Sequence, residues 1–395
     1  MGRRRESATA GRFPRVSRSL GATKEKLLWA LAGGRCEAAG CNVALWKSLV
    51  SQERLATGEN AHIIAFSEGG PRGDTKSHAH IHALSNLMLL CHACHRRIDS
   101  TETAERYPVE LLRDWKRTHE ARIELVTGIA PSHQSHVLSY GCRIGTHAPR
   151  WSYEEMGQAM FPERFPAGDP FHLGLDGSVE RDGTRHYWEL QLRQLQGQFT
   201  DFRRMLERSS IHHVSVFAMA PQPLLTTLGA MLGDLPAIDV YQRRREPTTW
   251  CMERDAADLE LEITRPDPAE SPPALVFSLS GTIERERVDA ALGCPASIWA
   301  VTVPKPHNDI VTTPAQLRAF RRLMRRLLDD IKTAHGQGTM LHVFPAMPVS
   351  LAVELGRVRM PKAEMPWRLW DHLGERGFLP AIDLVGTNPT PAEAA

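Results

Sequence analysis

The chain has 395 residues, 42% hydrophobic and 24% charged, which are ordinary proportions for folded domains and give length for two or three cores. No apolar run approaches the ~18 residues of a membrane span, and the basic start (Arg3, Arg4, Arg5, Arg12, Arg15, Arg18) leads into no apolar h-region, so neither a membrane span nor a secretory leader is expected. The net charge of +2 hides an asymmetry: residues 1–130 carry 20 Lys/Arg against 14 Asp/Glu and the remainder 28 against 32, so the first third is the better candidate for a polyanion contact.

Residues 1–22, rich in Arg, Ser and Gly, read as a basic mobile arm. Thr23 is placed to cap a short helix through Leu27, Leu28 and Leu31 that stops at Gly33-Gly34. Cys36 and Cys41 follow with C-x4-C spacing, and Cys91 and Cys94 come later with C-x2-C. Two close pairs about 50 residues apart suit four thiolates on one tetrahedral zinc, and fit a reducing cytoplasm better than a disulfide framework; the plainer alternative is four buried reduced thiols. An all-cysteine zinc has no open position, so its role is structural.

Between the pairs, E-N-A-H-I-I-A-F alternates like a strand and puts His62 opposite small apolar residues; S-E-G-G-P-R-G-D then forms a loop. A lone strand histidine is ordinarily structural, but this one has company. Asn86 opens the apolar run L-M-L-L that delivers the second cysteine pair, and His95 and Asp99 lie four apart. A helix over 93–100 puts both on one face, where they can share a cation. Ser77 to His82, with histidines at alternate positions, reads as a solvated loop. Pro108, the stripe Leu112, Trp115, His119 and Ile123, and Gly128 predict a helix over 107–127.

The order Cys pair, A-H-I, G-G, N-L-x-x-L-C-x-x-C-H and then Asp resembles the HNH endonuclease family over about residues 30–100. The resemblance implies a ββα-metal fold in which His62 is the general base, Asn86 braces the loop that orients it, and His95 with Asp99 binds a catalytic Mg²⁺ or similar cation. Many relatives place a further ligand just before the base. Here that residue is Ala61, so the remaining ligand falls to water, Asn60 or Asp74.

Residues 131–149 read as a linker. Beyond it lie two similar units. Strand Val214–Ala218, the loop Pro221-Gln222-Pro223 and helix Leu224–Leu232 match strand Met340–Phe344, the loop Pro345-Ala346-Met347-Pro348 and helix Val349–Leu355, with Gly229 and Gly356 in or after the helices. Further strands are expected at Ile238–Tyr241, Leu259–Ile263, Leu275–Leu279 and Ile298–Val303. Thr313-Pro314 starts a long helix whose outer face carries Arg318, Arg321, Arg322, Arg325 and Arg326; a solvated face is the plain reading, a subunit or DNA contact the sharper one.

In an open α/β sheet, ligands bind at the carboxyl ends of strands. Pro221, Gln222, Pro223, Ala346, Met347 and Pro348 occupy such places, with Tyr241, Arg243, Trp250, Arg357 and Lys362 nearby as stacking and cationic groups for a nucleotide. The segments A-P-Q-P-L-L-x-x-L-G, D-V-Y-Q-x7-W and F-P-A-M-P-x-S-L-A-x-E-L-G-R resemble the SAVED domain over roughly 150–390, a family of two CARF-like halves that senses cyclic oligonucleotides in antiphage defence. The expected fold is therefore an α+β ββα-metal (HNH) nuclease domain with a four-cysteine zinc site over 23–130, then an α/β SAVED domain of two CARF-like Rossmannoid halves over 150–390. The pairing resembles the HNH–SAVED effectors of bacterial CBASS systems. It implies a cytoplasmic endonuclease for double-stranded DNA, driven to oligomerise by a cyclic di- or trinucleotide. The alternatives are a sequence-specific HNH restriction endonuclease and a non-catalytic zinc module that binds nucleic acid.

Overall fold

The computed structural model describes residues 20–48, 50–65, 70–73, 80–145, 149–150, 152–175, 183–233, 235, 237–266 and 272–393. Most of the basic arm, Asp74 and residues 77–79 lie outside them. The chain divides into two compact units, Met1–Ala130 and Pro131–Ala395. Among the described residues no helix is long and apolar enough to cross a membrane.

The first unit opens with α1 (Ala22–Leu31). Its N-cap is Gly21 at φ 77, and no side-chain cap bond forms; Thr23 lies inside the helix instead of capping it. β1 (Gly58–His62) pairs antiparallel with β2 (Leu87–Cys91), with His62 opposite Leu87 and Gly58 opposite Cys91. β2 runs straight into α2 (His92–Asp99), where Cys91 acts as N-cap by accepting from the Cys94 N–H. α3 (Val109–Thr127) closes the unit. His119 of α3 donates to the Ala32 carbonyl over 2.9 Å, tying the two outer helices together. The apolar centre is small: Leu28, Leu45, Ile63, the four residues Leu87–Leu90, Ile98 and Leu112 form most of it.

The second unit begins with a strand where the sequence suggested a linker. β3 (Gln134–Gly141) is largely buried and central. Its serines and histidine mimic linker composition but serve a polar ladder: Ser135 Oγ meets His213 Nδ1 at 2.8 Å and Ser215 Oγ at 2.9 Å. Then come α4 (Tyr153–Met160), β4 (Phe165–Pro166), β5 (Phe171–Leu173), α5 (Arg185–Glu207), β6 (His213–Met219), α6 (Gln222–Leu232) and β7 (Ala237–Tyr241). The first sheet has the order β4-β3-β6-β7, with β5 also on β3, and all its pairings are parallel. A small ribbon, β8 (Arg244–Arg245) and β9 (Thr248–Thr249), follows.

The second sheet is assembled from β10 (Glu262–Thr264), β11 (Pro273–Ser278), β12 (Ser297–Thr302), β13 (Leu341–Ala346), β14 (Trp367–His372), β15 (Phe378–Val385) and β16 (Asn388–Pro391). The order is β10-β12-β11-β13-β14-β15-β16, parallel through the centre and antiparallel at β10 and from β14 outward. The strand expected at Leu259–Ile263 is confined to its last two residues and Thr264. Three helices complete the unit: α7 (Arg285–Leu292), α8 (Pro314–His335) and α9 (Val349–Val358). α8 starts on a capping box of Thr313 and Gln316, with Pro at the first turn.

The two matching units meet at α6 and α9. A Cβ on Gly229 would lie 2.0 Å from the Val353 carbonyl oxygen, and one on Gly356 would lie 1.9 Å from that of Thr226. Only glycine permits this approach of backbones. One core then runs through both sheets and α5, α6, α8 and α9, from Tyr187 and Phe202 to Phe320, Leu351 and Trp367.

Candidate functional site

The two cysteine pairs converge although their sequence positions are far apart. The Cys36–Cys41 turn is pinned by a bridge between Arg35 and Ala44 and by the bond from the Cys36 N–H to the Val43 carbonyl at 3.0 Å. Glu37 then binds the second strand in both directions: its N–H donates to the Leu89 carbonyl over 3.0 Å, and its carboxylate accepts from the Leu89 N–H over 2.5 Å. The result brings the sulfurs of Cys36, Cys41, Cys91 and Cys94 within 4.8 Å of one another, with Cys41 and Cys91 at 3.9 Å. Tetrahedral zinc with bonds of about 2.3 Å requires sulfurs about 3.8 Å apart, so the donor set fits that ion. The Cys91 N–H points at Cys36 Sγ over 3.3 Å and the Cys94 N–H at Cys91 Sγ over 3.4 Å, as thiolates require. Without a cation, burial and the neighbouring sulfurs push the Cys36 thiol up to about 12.

The second cluster sits where β1, β2 and α2 meet. Asn86, at the entry to β2 and only 8% exposed, braces the end of β1. Its Oδ1 accepts from the Ile64 N–H at 2.9 Å, and its amide donates to the Ile64 and Ile81 carbonyls at 3.1 and 3.0 Å. Every polar atom of that side chain therefore holds backbone on either side of the long loop, and His62 is carried on the braced segment. His62 Nε2 stands 3.4 Å from His82 Nδ1, so His82 is engaged here rather than solvated. Burial, then the His82 charge, hold the His62 pKa below its ordinary value; Asp99 opposes them. At neutral pH the imidazole is uncharged, the state a base needs.

His95 lies between two carboxylates. Its Nδ1–H donates to Glu59, and its Nε2 faces Asp99 Oδ2 at 3.2 Å. The Asp99 bond, reinforced by Glu59, raises the His95 pKa to about 8. Burial works against the Asp99 carboxylate, yet the bonds from His95 and Arg72 keep it below its usual range. A proton held between an imidazole nitrogen and a carboxylate oxygen marks a place where a divalent cation finds two donors, so these residues fit the expected ion. Asn60 Oδ1, on β1, is buried with no partner among the described residues.

Two side chains of this cluster escaped the sequence reading. Glu59 contacts His92 at 2.5 Å as well as His95. It shares a strand face with Ala61 by the two-residue period, but it meets His95 at Nδ1, the nitrogen away from Asp99, so it holds the ring and does not replace the ligand expected at 61. Counting back two positions would have found Glu59. Arg72, at φ 59, donates from Nε to the Ile63 carbonyl at 2.8 Å, from Nη1 to the Ile98 carbonyl at 2.6 Å, and pairs with Asp99 at 2.8 Å. It clamps the end of β1 to the end of α2. No local pattern announces it, because a left-handed arginine in a loop reads as surface.

Family comparison bears on both units. The HNH endonuclease model matches residues 36–104, a span that includes all four cysteines and His62, Asn86, His95 and Asp99. The model for SAVED, the SMODS-associated and fused to various effectors sensor domain, matches residues 195–384. The chain joins an HNH endonuclease domain to a SAVED sensor domain.

Among curated proteins no relative matches it. Among solved structures it is similar to the Cap4 SAVED/CARF-domain receptor of Acinetobacter baumannii with the cyclic trinucleotide 2'3'3'-cAAA, at 9% identity and TM-score 0.42, covering 70% of this chain and 56% of that one. The Moraxella osloensis Cap4 receptor is similar at 12% identity and TM-score 0.37, covering 55% and 50%. The chain thus spans little more than half the length of these receptors.

In the SAVED domain the two strand-end loops are brought together. Pro221 and Pro348 hold the same N-cap position with nearly the same dihedrals, φ −51, ψ 142 and φ −52, ψ 145. Gln222 donates to the Met347 carbonyl over 2.7 Å, and its own Oε1 is buried without a partner among the described residues. Gln242, at the end of β7, accepts from the Ser350 N–H at 3.1 Å and hydroxyl at 2.6 Å, covering the start of α9.

The aromatic candidates are placed otherwise. Tyr241 stacks on Phe217 at 4.3 Å, and Trp250, 1% exposed, meets the same ring edge-on at 5.3 Å. Trp250 is a core residue with no open face for a base, whereas Tyr241, also buried, lines a cavity with Asp239, Arg318 and Glu354. Arg243 lies over the Trp250 ring and pairs with Glu155 at 3.3 Å. Arg357 belongs to the far end of α9 and pairs with Glu354 at 3.0 Å, while Lys362 is an exposed residue beyond that end. Pro223 is buried in α6 and Ala346 half-buried at the end of β13.

Proposed function

We propose that the chain is an antiphage effector: a metal-dependent endonuclease for double-stranded DNA, held idle until a cyclic di- or trinucleotide binds the SAVED domain and drives oligomerisation. One observation carries the nuclease reading. His62 and Asp99 are tied to one another through the main chain: Asn86 braces Ile64 just beyond His62, and Arg72 joins the Ile63 carbonyl to the Asp99 carboxylate, which His95 also meets.

In this reading His62 takes a proton from the attacking water as the new P–O bond forms and the bond to the leaving sugar oxygen breaks. His95 and Asp99 hold the divalent cation, Glu59 fixes the His95 ring through Nδ1, and Arg72 fixes Asp99. When bound there, the cation supplies charge neutralisation at the phosphate and leaving oxygen. The four-cysteine zinc supplies no chemistry; it shapes the loop that presents α2.

The sensor reading rests on the SAVED match and on the converging loops at Gln222 and Met347, where two helix N-termini favour phosphate. Activation requires the ligand to favour the assembled state by about 5.5 kcal/mol to move a 1:99 equilibrium to 99:1. The test is plasmid cleavage with Mg²⁺, with and without a panel of cyclic di- and trinucleotides, together with sedimentation of the same samples. Ligand-dependent cutting with a shift to larger species is expected. Cutting at fixed sites without nucleotide would instead show a restriction endonuclease, and no cutting with any ligand a binding module.

A further inference from the structure

The outer face of α8 is more than a solvated stripe. Arg318, Arg321, Arg322 and Arg325 form one wall of a cavity of about 440 Å³, and Arg357 of α9 joins them against Gly233 and Leu235. Among the described residues Glu354 is the carboxylate in ion-pair contact with this set, reached by Arg321 at 2.9 Å and Arg357 at 3.0 Å, and it is 1% exposed, while Asp239 also acts on Arg357 through its charge. Arg318, Arg322 and Arg325 have no ion-pair partner among the described residues. Arg357 is nine-tenths buried, with a side chain 10% exposed, and its Nε is buried without a hydrogen-bond partner among the described residues. Arg318, Arg322 and Arg325 are exposed and solvated, but with the recessed Arg357 they line one concavity, and like charges so gathered focus a positive field that favours an anion.

The chemistry of the walls narrows the anion. Guanidinium forks match phosphate oxygens two at a time. Positions 318 to 325 run about 10 Å along a helix, room for more than one phosphate. No aromatic ring is among the described lining residues, so nothing there stacks a base. Arg357 at the floor is recessed, which suits a slender chain of phosphates rather than the broad surface of a duplex. The cavity is also remote from the strand-end loops. It opens at the carboxyl ends of α6 and α9, whereas Gln222 and Met347 mark their amino ends, about 15 Å away along an 11-residue helix.

We infer that this cavity is a second anion site of the SAVED domain, binding the oligophosphate of a nucleotide through its arginines and separate from the site of the cyclic ligand. The inference does not depend on which cyclic nucleotide activates the protein, nor on cleavage. Calorimetry on the full chain tests it with inorganic triphosphate, orthophosphate, ATP and a short DNA duplex at low salt. Triphosphate should bind at least about tenfold more tightly than orthophosphate, and ATP within about threefold of triphosphate, since the base is not read. Binding should weaken steeply as salt rises. The double variant Arg322→Glu, Arg325→Glu changes exposed residues only and should keep its melting temperature while losing at least about tenfold in triphosphate affinity; Arg318→Gln should lose less. The site is refuted by triphosphate binding that is no tighter than orthophosphate, or that ignores the double variant. Duplex binding lost in that variant without triphosphate binding would show a nucleic-acid surface instead. Competitive displacement of triphosphate by a cyclic trinucleotide would refute the separateness of the two sites.

Discussion

The HNH and SAVED domains are stabilised in different ways. The SAVED domain buries a continuous apolar core through two sheets and four helices, and its tightest contact is backbone on backbone at Gly229 and Gly356. The HNH domain has a small cluster, and much of its loop structure is organised around the four cysteines and a few side chains that bind main chain: Asn86, Arg72 and Glu37. A small core supplies little surplus stability, so in the proposed reading a zinc held by the four cysteines adds what burial does not. The difference also separates the tasks. Polar side chains that hold backbone place a few reactive groups accurately, whereas a large packed core with two matched halves can carry a rearrangement between them.

Zinc removal should separate the domains most sharply. A structural zinc contributes about 10 kcal/mol or more to a small domain. Cys91→Ser, or a strong chelator, should therefore unfold the HNH domain, read as lost zinc and rapid proteolysis below residue 130, while the SAVED domain keeps its melting transition. A Cys91→Ser protein that retains zinc and protease resistance would dissolve the contrast. His62→Ala comes next. Loss of a general base should cut DNA cleavage by about 10²–10⁴-fold, with zinc content, melting and cyclic-nucleotide binding unchanged. Undiminished cleavage would remove His62 from the reaction. Gly356→Ala probes the other domain: a methyl aimed at the Thr226 carbonyl should lower its stability by about 3 kcal/mol and leave zinc untouched. An unchanged denaturation midpoint would mean that the helices do not cross there.

The same division governs what the sequence made legible. The cysteine pairs, His62, Asn86, His95 and Asp99 were readable because each sits in a short motif whose chemistry fixes the spacing, and the family model covers the same span. Glu59 and Arg72 were not, since they act through a strand face and a left-handed loop residue. In the SAVED domain the duplicated strand–Pro–helix units and their glycines were visible, and the glycines proved to touch. Composition misled in two places. Ser135, His136 and Ser139 made a central strand resemble a linker, because their partners, His213, Ser215, Ser209 and His172, are distant in sequence. Trp250 resembled a base-stacking residue, because an aromatic in a core and one in a pocket share the same local sequence.

The smallest expected effect concerns acid, and it inverts the zinc test by striking the SAVED domain. His342 on β13 is largely enclosed, and its Nδ1 accepts from the Trp370 indole N–H at 3.1 Å, which requires the neutral ring. Burial, helped by Arg368 and opposed by Asp383, lowers its pKa from 6.5 to about 4. The unfolded chain then takes up a proton that the folded chain refuses. Stability is complete above about pH 6.5, falls as the pH drops toward 4, and changes no further from this source below that. Allowing for the partial exposure of the ring, the loss across that window is on the order of 2 kcal/mol. Denaturant titrations of the full chain at pH 7 and pH 4.5, following the SAVED transition, should show it. His342→Gln keeps an acceptor for Trp370 but has nothing to protonate, so it should lose at least half of the pH dependence. Equal slopes in both proteins would mean that the acid sensitivity of this domain lies elsewhere. A flattened slope would show that the SAVED domain carries its acid sensitivity in a single half-buried imidazole.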